Sequence, residues 1–536
     1  MSISVEIKDG LYIKGLSTEQ QESLEKDLTF DNPKYLQIKK YSRYSTTREP
    51  KYLEYFRYLK QGNDLIMRVP IGINLTPYFP IADVADHRLA KALSDFPKFL
   101  LKLRDTQKEA FKSFIKANSS PVLNGSIQLP TGKGKTILGT AIAAHFKVKT
   151  LVIVHKTDLV NGWREDIDKA FGGAADVGLI KAQSRKIGKH FTIATIQTLN
   201  NLSREELDTL YNTFGLVIQD EMHHCPASSF NLVDNFKSRY RLGLSATPER
   251  SDGLSHIMKL YFGDFAFQYD YSAMKEKEDE DILPVKVLVK QADVHFNPIC
   301  TGSHGFYSFK GDVCAEKHFN SDYLCRGDEI PIKKVPYEKR PKIAYTDIDF
   351  AVTNYPAVMT QIIKDIITEY EKGHSCIVFF KQVNTLLNYE QELINLGVVE
   401  EDIGLYYGGN FNCEDVKKTA ENKRKFITLA TYSKATEGTN VKQWEVAFFV
   451  SSINDGKNVE QAIGRIRRTK EGGKKLKTVL VYDYRYSDCY PMYSHGYTRD
   501  KRYQLLGCEV ESNLVPLKMK SNTKLGSLLF TRGFKK

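Results

Sequence analysis

The stretch QLPTGKGKT, residues 128–136, places two glycines, two lysines and a threonine directly after an apolar segment. Glycines let successive backbone N–H groups point inward around an anion, and a helix that begins here adds the positive end of its dipole. The pattern predicts phosphate binding, with Gly132, Gly134, Lys135 and Thr136 where a P-loop needs them. An ordinary glycine-rich turn between a strand and a helix is the alternative at this point.

The context of this loop favours the phosphate-binding interpretation, although Leu129 replaces the first glycine of G-x-x-x-x-G-K-[ST]. Residues 126–129 can end a strand, and the alanine-rich segment 137–146 suits the helix that should follow. In such a site Lys135 neutralises the β- and γ-phosphates of ATP, and the Thr136 hydroxyl binds Mg²⁺.

Adjacent carboxylates, Asp220 and Glu221, end the apolar strand in VIQDEMHH, residues 217–224. Asp220 is suited to hold the Mg²⁺ shell, and Glu221 to orient or deprotonate a water that attacks the γ-phosphate. His223 and His224 can be surface or packing residues. Zinc is disfavoured here because no second pair of ligands has suitable spacing nearby.

The segment QAIGRIRR, residues 461–468, carries cationic and amide side chains on one predicted helix. Arg465 and Arg468 are three residues apart and share a helix face. They can form a solvated face, or they can supply the cation that a nucleoside triphosphatase needs at the γ-phosphate in the transition state. If they belong to a different domain from Lys135, hydrolysis depends on cleft closure.

Short apolar runs that alternate with amphipathic segments predict strands and helices in turn. The predicted strands are 150–155, 191–195, 215–221 and 241–247, followed by 376–380, 404–409, 426–431, 445–452 and 478–484. This rhythm is typical of parallel sheets covered by helices. The sequence predicts an α/β protein with domains at 101–280 and 281–512, after a strand-like, turn-rich segment 1–100 and before a basic tail 513–536.

Composition sets broad limits on the class of protein. The 536 residues include 77 Lys and Arg against 65 Asp and Glu, a formal charge of +12 that modestly favours a polyanionic partner. No apolar run approaches the roughly 18 residues that a membrane span needs, the N-terminus does not read as a secretory signal, and the cysteines form no regular framework. We expect a cytoplasmic protein with no membrane partner.

Taken together, the motifs resemble those of superfamily 2 helicases of the DExH type. LRDTQKEAF, QLPTGKGKT, DEMH and SAT are similar to the Q motif and to motifs I, II and III. LVIVHKTDLVNGW and ATIQTL resemble motifs Ia and Ib, which in the family contact the nucleic acid backbone. FFKQVNTL, TYSKATEGTNV and QAIGRIRR resemble motifs IV, V and VI, and all occur in family order between residues 100 and about 485.

The resemblance implies roles for particular residues. Gln107 is expected to read the adenine, and the family's coupling residues correspond to His223, Ser245, Thr247 and Gly438. The residues expected to bind ATP are Gln107, Pro130, Thr131, Gly132, Lys133, Gly134, Lys135, Thr136 and Gln461.

The segments FGLVIQDEMHH and LGLSATPERSDG resemble those of the XPB-related branch, and especially those of phage helicases of the UvsW type that remodel branched DNA. This resemblance implies two tandem RecA-like domains with a small N-terminal α+β domain, ATP and Mg²⁺ as cofactors, and branched or single-stranded DNA as partner. The expected activity is helicase or translocase action in DNA repair, recombination or replication. An RNA helicase or transcript-release factor, and an ATP-gated DNA clamp without processive movement, are the alternatives; oligomeric state is left open.

Three further features carry weaker predictions. Basic residues alternate with aromatic ones between residues 34 and 60, which suits either a strand-binding platform or a small core with a cationic surface. Residues 297–342 have little periodicity and are treated as an insertion. Its Cys300, Cys314, His318 and Cys325 are not spaced in the close pairs typical of structural zinc sites.

Overall fold

The computed structural model describes residues 3–41, 48–62, 64–80, 83–117, 125–130, 132–224, 232–246, 254–269, 283–292, 299–301, 306–309, 313–315, 330–331, 345–436, 441–467, 476–486 and 489–514. The chain divides into two compact units, Met1–Asp270 and Tyr271–Lys536. The predicted boundaries near residues 100, 280 and 512, and the limits of the insertion, stay predictions.

The first unit begins with a five-stranded sheet in the order β5-β6-β2-β1-β7. Its strands, with the separate pair β3 and β4, are β1 (Ser4–Ile7), β2 (Leu11–Lys14), β3 (Thr29–Asp31), β4 (Tyr52–Glu54), β5 (Arg57–Gln61), β6 (Asp64–Val69) and β7 (Asp83–Asp86). Two helices, α1 (Thr18–Asp27) and α2 (Pro33–Tyr41), accompany it. Ser17 and Gln20 form a capping box at the start of α1, a readable signal that the strand-like interpretation of this segment overlooked.

An eight-stranded sheet in the order β11-β10-β12-β9-β13-β14-β8-β15 forms the rest of the first unit. Its strands are β8 (Gly125–Gln128), β9 (Thr150–Val154), β10 (Val177–Lys181), β11 (Ser184–Lys186), β12 (Phe191–Thr195), β13 (Leu216–Gln219), β14 (Tyr240–Ser245) and β15 (Phe265–Gln268). The helices are α3 (Asp105–Ala117), α4 (Lys135–Phe146), α5 (Thr157–Phe171), α6 (Ile196–Leu199), α7 (Arg204–Tyr211) and α8 (Ser255–Phe262). All strand pairs are parallel except β10 with β11. Every residue of β8, β9, β12 and β13 is buried, as expected for a parallel sheet covered on both faces.

The two sheets of the first unit share one hydrophobic core, which includes Ile7, Val69, Phe236 and Phe262. Buried charges cross the same boundary. Arg68 on β6 pairs with Asp234 and, at 3.4 Å, with Asp9. The N-terminal sheet is therefore built into the first α/β sheet by both apolar packing and ion pairing.

The aromatic residues of the basic N-terminal segment lie partly in the core and partly at the surface. Tyr55, Phe56 and Tyr58 are partly buried and pack against the shared core. Tyr52 is 46% exposed, and the Lys51 ammonium lies 4.6 Å from its ring centroid. The side chains of residues 41–47 lie outside the described residues. Tyr55, Phe56 and Tyr58 thus serve as core, whereas Tyr52 lies at the surface.

The second unit contains a seven-stranded, entirely parallel sheet in the order β22-β23-β21-β24-β25-β16-β26. Its strands are β16 (Val285–Ala292), β21 (Ser375–Phe380), β22 (Ile403–Tyr406), β23 (Phe426–Thr431), β24 (Val446–Phe449), β25 (Val479–Tyr486) and β26 (Glu509–Ser512). The helices are α9 (Tyr345–Thr353), α10 (Pro356–Glu371), α11 (Val383–Asn395), α12 (Cys413–Asn422), α13 (Tyr432–Ala435), α14 (Gly456–Ile466) and α15 (Tyr490–Leu505). The α/β fold class with parallel sheets is confirmed.

Within the predicted insertion, four short strands form a small antiparallel sheet. They are β17 (Ile299–Thr301), β18 (Phe306–Phe309), β19 (Val313–Ala315) and β20 (Ile330–Pro331). The side chains of Cys300 and Cys314, and all of His318 and Cys325, lie outside the described residues.

A buried carboxylate on α9 links the ends of two strands in the second sheet. Asp349 Oδ2 accepts a hydrogen bond from Ser451 Oγ at 2.8 Å, just beyond β24. Ser451 Oγ in turn accepts the Lys381 backbone N–H at 2.9 Å, just beyond β21. Burial raises the pKa of Asp349 from its usual 3.8 to about 6.

This shift predicts how the stability of the second unit changes with pH. Asp349 keeps its proton in the folded state up to a pH of about 6 but loses it near 3.8 when unfolded, so its contribution to stability falls as the pH rises between these values. The loss at neutral pH is about 3 kcal/mol. Asp349→Asn, which cannot ionise, should gain stability relative to wild type between pH 4.5 and 7.5 in urea unfolding. Asp415→Asn, at an exposed position, is the control; an Asp349→Asn effect that is equal at both pH values would contradict the prediction.

Candidate active site

The carboxyl ends of five parallel strands lie along one edge of the first α/β sheet. From β12 through β9, β13 and β14 to β8, neighbouring strands are paired in the same direction. In open α/β sheets ligands bind at this edge. The predicted motifs Ib, Ia, II, III and I follow these five strand ends in that order, so the fold brings them together.

The predicted phosphate loop lies between β8 and α4. Gly132 and Gly134 have φ of 91° and 72°, values in the left-handed region that favours glycine. A Cβ atom at Gly134 would lie 2.4 Å from the Gln107 side-chain nitrogen, so this position also lacks room for a side chain. Lys135 begins α4. Pro130 and Lys133 are described here, whereas Thr131 lies outside the described residues. This backbone is suited to binding an anion.

Gln107, which is predicted to contact the adenine, forms hydrogen bonds to the phosphate loop. Its Nε2 donates to the carbonyl oxygens of Lys133 and Gly134, each at 3.1 Å. Its Oε1 accepts the Arg104 backbone N–H at 2.9 Å. The side chain is buried and holds the loop in place. Its contact with adenine stays a prediction.

The predicted catalytic carboxylates meet the loop lysine directly. Lys135 Nζ lies 2.6 Å from Glu221 Oε1, and both side chains are largely buried. Asp220 Oδ1 accepts the Glu221 backbone N–H at 2.9 Å. Asp220 Oδ2 accepts the Trp163 indole N–H at 2.8 Å. Lys135 and Trp163, from two other motifs, and the Glu221 backbone N–H therefore fix the two carboxylates.

The electrostatics of Asp220 suit a cation. Burial and the neighbouring Glu221 charge raise the pKa of Asp220, while Lys135 opposes this effect. Mg²⁺ prefers oxygen ligands and is usually held by one or two protein groups together with substrate phosphates. Asp220 and the half-buried Thr136, in the first turn of α4, fit such a site.

Motifs II and III are connected through a histidine and a serine. His223 Nδ1 lies 2.8 Å from Ser245 Oγ and 3.5 Å from Glu221 Oε2. The Ala246 backbone N–H donates to Glu221 Oε2 at 3.3 Å. A conformational change at the end of β14 can thus displace Glu221, the candidate base, through these contacts. Thr247 lies outside the described residues.

In the second unit, the predicted cationic helix is α14. Arg465 is buried, and its Nε and Nη2 donate to the Thr436 carbonyl oxygen at 3.1 and 2.5 Å. Gln461 is buried on the same helix. Arg468 and Gly438 lie outside the described residues. The structure thus links motif VI to the segment that precedes the predicted motif V glycine.

Sequence reasoning missed Trp163 as a site residue. It lies at the end of the motif Ia-like stretch 151–163, and its side chain is 1% exposed. An aromatic residue at that helical spacing is usually core, and only the fold shows that its N–H reaches Asp220.

The chain is similar to several known proteins. Residues 100–250 match the family model described as "Type III restriction enzyme, res subunit". The probable helicase D10 of Escherichia phage T5 is 26% identical over 391 residues, covering 72% of this chain and 72% of that protein. The DNA 3'-5' translocase XPB2 of Sulfurisphaera tokodaii is 26% identical over 398 residues, covering 72% of this chain and 84% of that protein.

Among solved structures, a fragment of a putative HsdR subunit of a type I restriction enzyme from Vibrio vulnificus shares the fold. The TM-score is 0.52 at 15% identity, and the match covers 78% of this chain and 70% of that one. With the motif order and the carboxyl-edge site already described, these matches show that the chain resembles the XPB-related helicases of superfamily 2.

Proposed function

We propose that this chain is an ATP-dependent DNA helicase or translocase that unwinds or branch-migrates forked and junction DNA. The 2.6 Å pair between Lys135 and Glu221 is the observation that carries the proposal. It joins the phosphate loop to a candidate base at the strand edge that also bears the motifs Ia and Ib. The name of the Sulfurisphaera tokodaii relative, a DNA 3'-5' translocase, supports DNA as the polymer.

In this proposal each residue of the edge has a defined task. Lys135 binds the β- and γ-phosphates, and Glu221 orients or deprotonates the attacking water. Asp220 and Thr136 hold Mg²⁺, which supplies charge neutralisation at the phosphates. Arg465, with Arg468, supplies the transition-state cation. His223, Ser245, Thr247 and Gly438 couple this site to the strand.

The strand is proposed to bind beside the ATP site, at the starts of α5 and α6. Gln197 Nε2 donates to the His155 carbonyl oxygen at 2.6 Å, which ties motif Ib to motif Ia. Contacts with phosphates dominate such binding, so affinity should fall with salt and depend little on base sequence. A cytoplasmic location, in the host cell if the source is viral, belongs to the same proposal.

The rate of ATP hydrolysis tests the roles proposed for Lys135 and Glu221. Lys135→Ala should lower the ATPase rate at least about 100-fold because the cation at the phosphates is lost. Glu221→Gln should lower it by about 100-fold or more while ATP still binds, since an amide takes no proton from water. Rates are measured without nucleic acid and with single-stranded DNA, a four-way DNA junction or matched RNA. Lys169→Ala, on the exposed end of α5, is the control.

Each outcome of this assay has a separate meaning. Stimulation by junction DNA that disappears in Lys135→Ala supports the proposal, and strand displacement on the same junction then separates a motor from an ATP-gated clamp. Stimulation by RNA alone favours the RNA alternative, because the matched RNA differs from the DNA by its 2′-OH groups and by uracil in place of thymine. An ATPase that ignores every polymer would refute the translocase.

A separate substitution tests the role proposed for Arg465. Arg465→Ala should lower kcat by about 1000-fold or more with little change in KM, because an arginine finger acts mainly in the transition state. Arg467 is the matched control, since its Nε donates to the Leu283 carbonyl oxygen at 3.2 Å within the second unit. Arg467→Ala should destabilise the fold and leave kcat of the folded protein near wild type. Equal kcat values for the two variants would contradict the assigned role of Arg465.

A further inference from the structure

Trp163 connects the helix that follows motif Ia to the metal-binding carboxylate. Its indole N–H donates to Asp220 Oδ2 at 2.8 Å, and both side chains are buried. Trp163 lies on the second turn of α5, which begins at Thr157 directly after β9. The strand β9 is the immediate neighbour of β13, which carries Asp220 at its end. A small shift of α5 therefore acts directly on one oxygen of Asp220.

The phosphate-loop helix also contacts this indole. A Cβ atom at Gly139, within α4, would lie 2.9 Å from the Cη2 atom of Trp163, which is closer than packed atoms tolerate. Glycine inside a helix costs roughly 0.5–1 kcal/mol relative to alanine, so its presence here has a packing reason. The absent side chain at Gly139 makes room for the Trp163 ring. One side chain thus touches α4, α5 and the end of β13.

The other end of the connection faces the proposed nucleic acid site. His155 and Lys156 lie between β9 and α5, and Gln197 on α6 bonds to the His155 carbonyl oxygen. Strand binding at these residues would press on the first turn of α5. Because α5 is a continuous helix, a displacement at its start moves Trp163 with it.

We infer that Trp163 is a positioning residue that couples strand binding at the start of α5 to Mg²⁺ binding at Asp220. The inference rests on the proposed function, and it adds a specific path between the two sites. Trp163 is buried, so the inference assigns it no direct contact with nucleotide or strand. It acts through the hydrogen bond that orients Asp220, as outer-shell partners of metal ligands do elsewhere.

Trp163→Phe removes the donor and keeps an aromatic ring. The Mg²⁺ concentration that half-saturates the ATPase should rise about tenfold or more. The ratio of DNA-stimulated to unstimulated rate should fall towards one. Trp444→Phe is the matched control. Trp444 is the other tryptophan of the chain, and it is as buried as Trp163. Its indole N–H donates to Thr428 Oγ1 at 3.0 Å in the core of the second unit. This control substitution should leave both quantities unchanged.

Fluorescence gives a readout that does not depend on turnover. In Trp444→Phe, Trp163 is the sole indole of the chain. Its emission should change saturably when Mg²⁺ and a non-hydrolysable ATP analogue are added together, and again when single-stranded DNA is added. In Trp163→Phe, the remaining Trp444 should respond to neither. Emission from Trp163 that ignores both additions would overturn the inference.

Gly139→Ala tests the same contact from the other side. The added methyl group displaces the indole while the donor stays chemically intact. It should reproduce the weaker Mg²⁺ dependence and the lost stimulation of Trp163→Phe, although alanine favours the helix itself. Folding of each variant is checked by thermal unfolding against Trp444→Phe.

Failure of the inference differs from failure of the proposed function. A folded Trp163→Phe with wild-type Mg²⁺ dependence and wild-type DNA stimulation would overturn the inference and leave the motor intact. A wild-type ATPase that no nucleic acid stimulates would overturn both the motor and the coupling. In that case the Mg²⁺ half-saturation of Trp163→Phe still decides whether the indole positions Asp220.

Discussion

Parallel strand pairing is the constraint on which the rest of this molecule depends. In a parallel sheet every strand ends at the same edge, and the chain must cross over by a helix before the next strand begins. The parallel topology therefore brings segments that are far apart in sequence to one edge of the sheet. These segments include the loop at Gly132, the pair Asp220 and Glu221, and Ser245. Helices that begin at this edge can supply N–H groups and the positive ends of their dipoles to a phosphate. The site follows from the topology, and the side chains then refine it.

The N-terminal sheet extends this framework. It shares its core with the first α/β sheet, and the ion pair between Arg68 and Asp234 lies at their boundary. Breaking a buried pair by removing one partner leaves an uncompensated charge, so such a pair resists separation of the two sheets. Within the first unit, the segment with exposed Tyr52 and Lys51 is thus anchored to the same α/β sheet from which the phosphate loop extends.

Much of the first α/β sheet could be predicted from the sequence because the spacing of its apolar runs and the positions of its motifs indicated the same strands. The runs at 150–155 and 191–195 are buried at every position, and such runs between helices indicate parallel strands. The candidate phosphate loop and the candidate carboxylates could be predicted from the sequence because the proposed chemistry requires fixed residue types. Trp163 could not be found in this way, since its role depends on a contact with Asp220 57 residues away. The helix α1 had a local signal in Ser17 and Gln20, but the alternating strands around it dominated the interpretation.

The backbone at Glu221 shows why sequence alone cannot give the geometry of the site. Glu221 has φ of 44°, a left-handed conformation that costs a non-glycine residue roughly 1–2 kcal/mol. Glycine would relieve the strain but would lose the carboxylate that meets Lys135 at 2.6 Å. Bonds from Lys135 and from the Ala246 N–H hold this carboxylate, while the Glu221 N–H bonds to Asp220. The strain persists because residues from motifs I, II and III oppose its relaxation together, and the candidate base is thereby held beside Lys135.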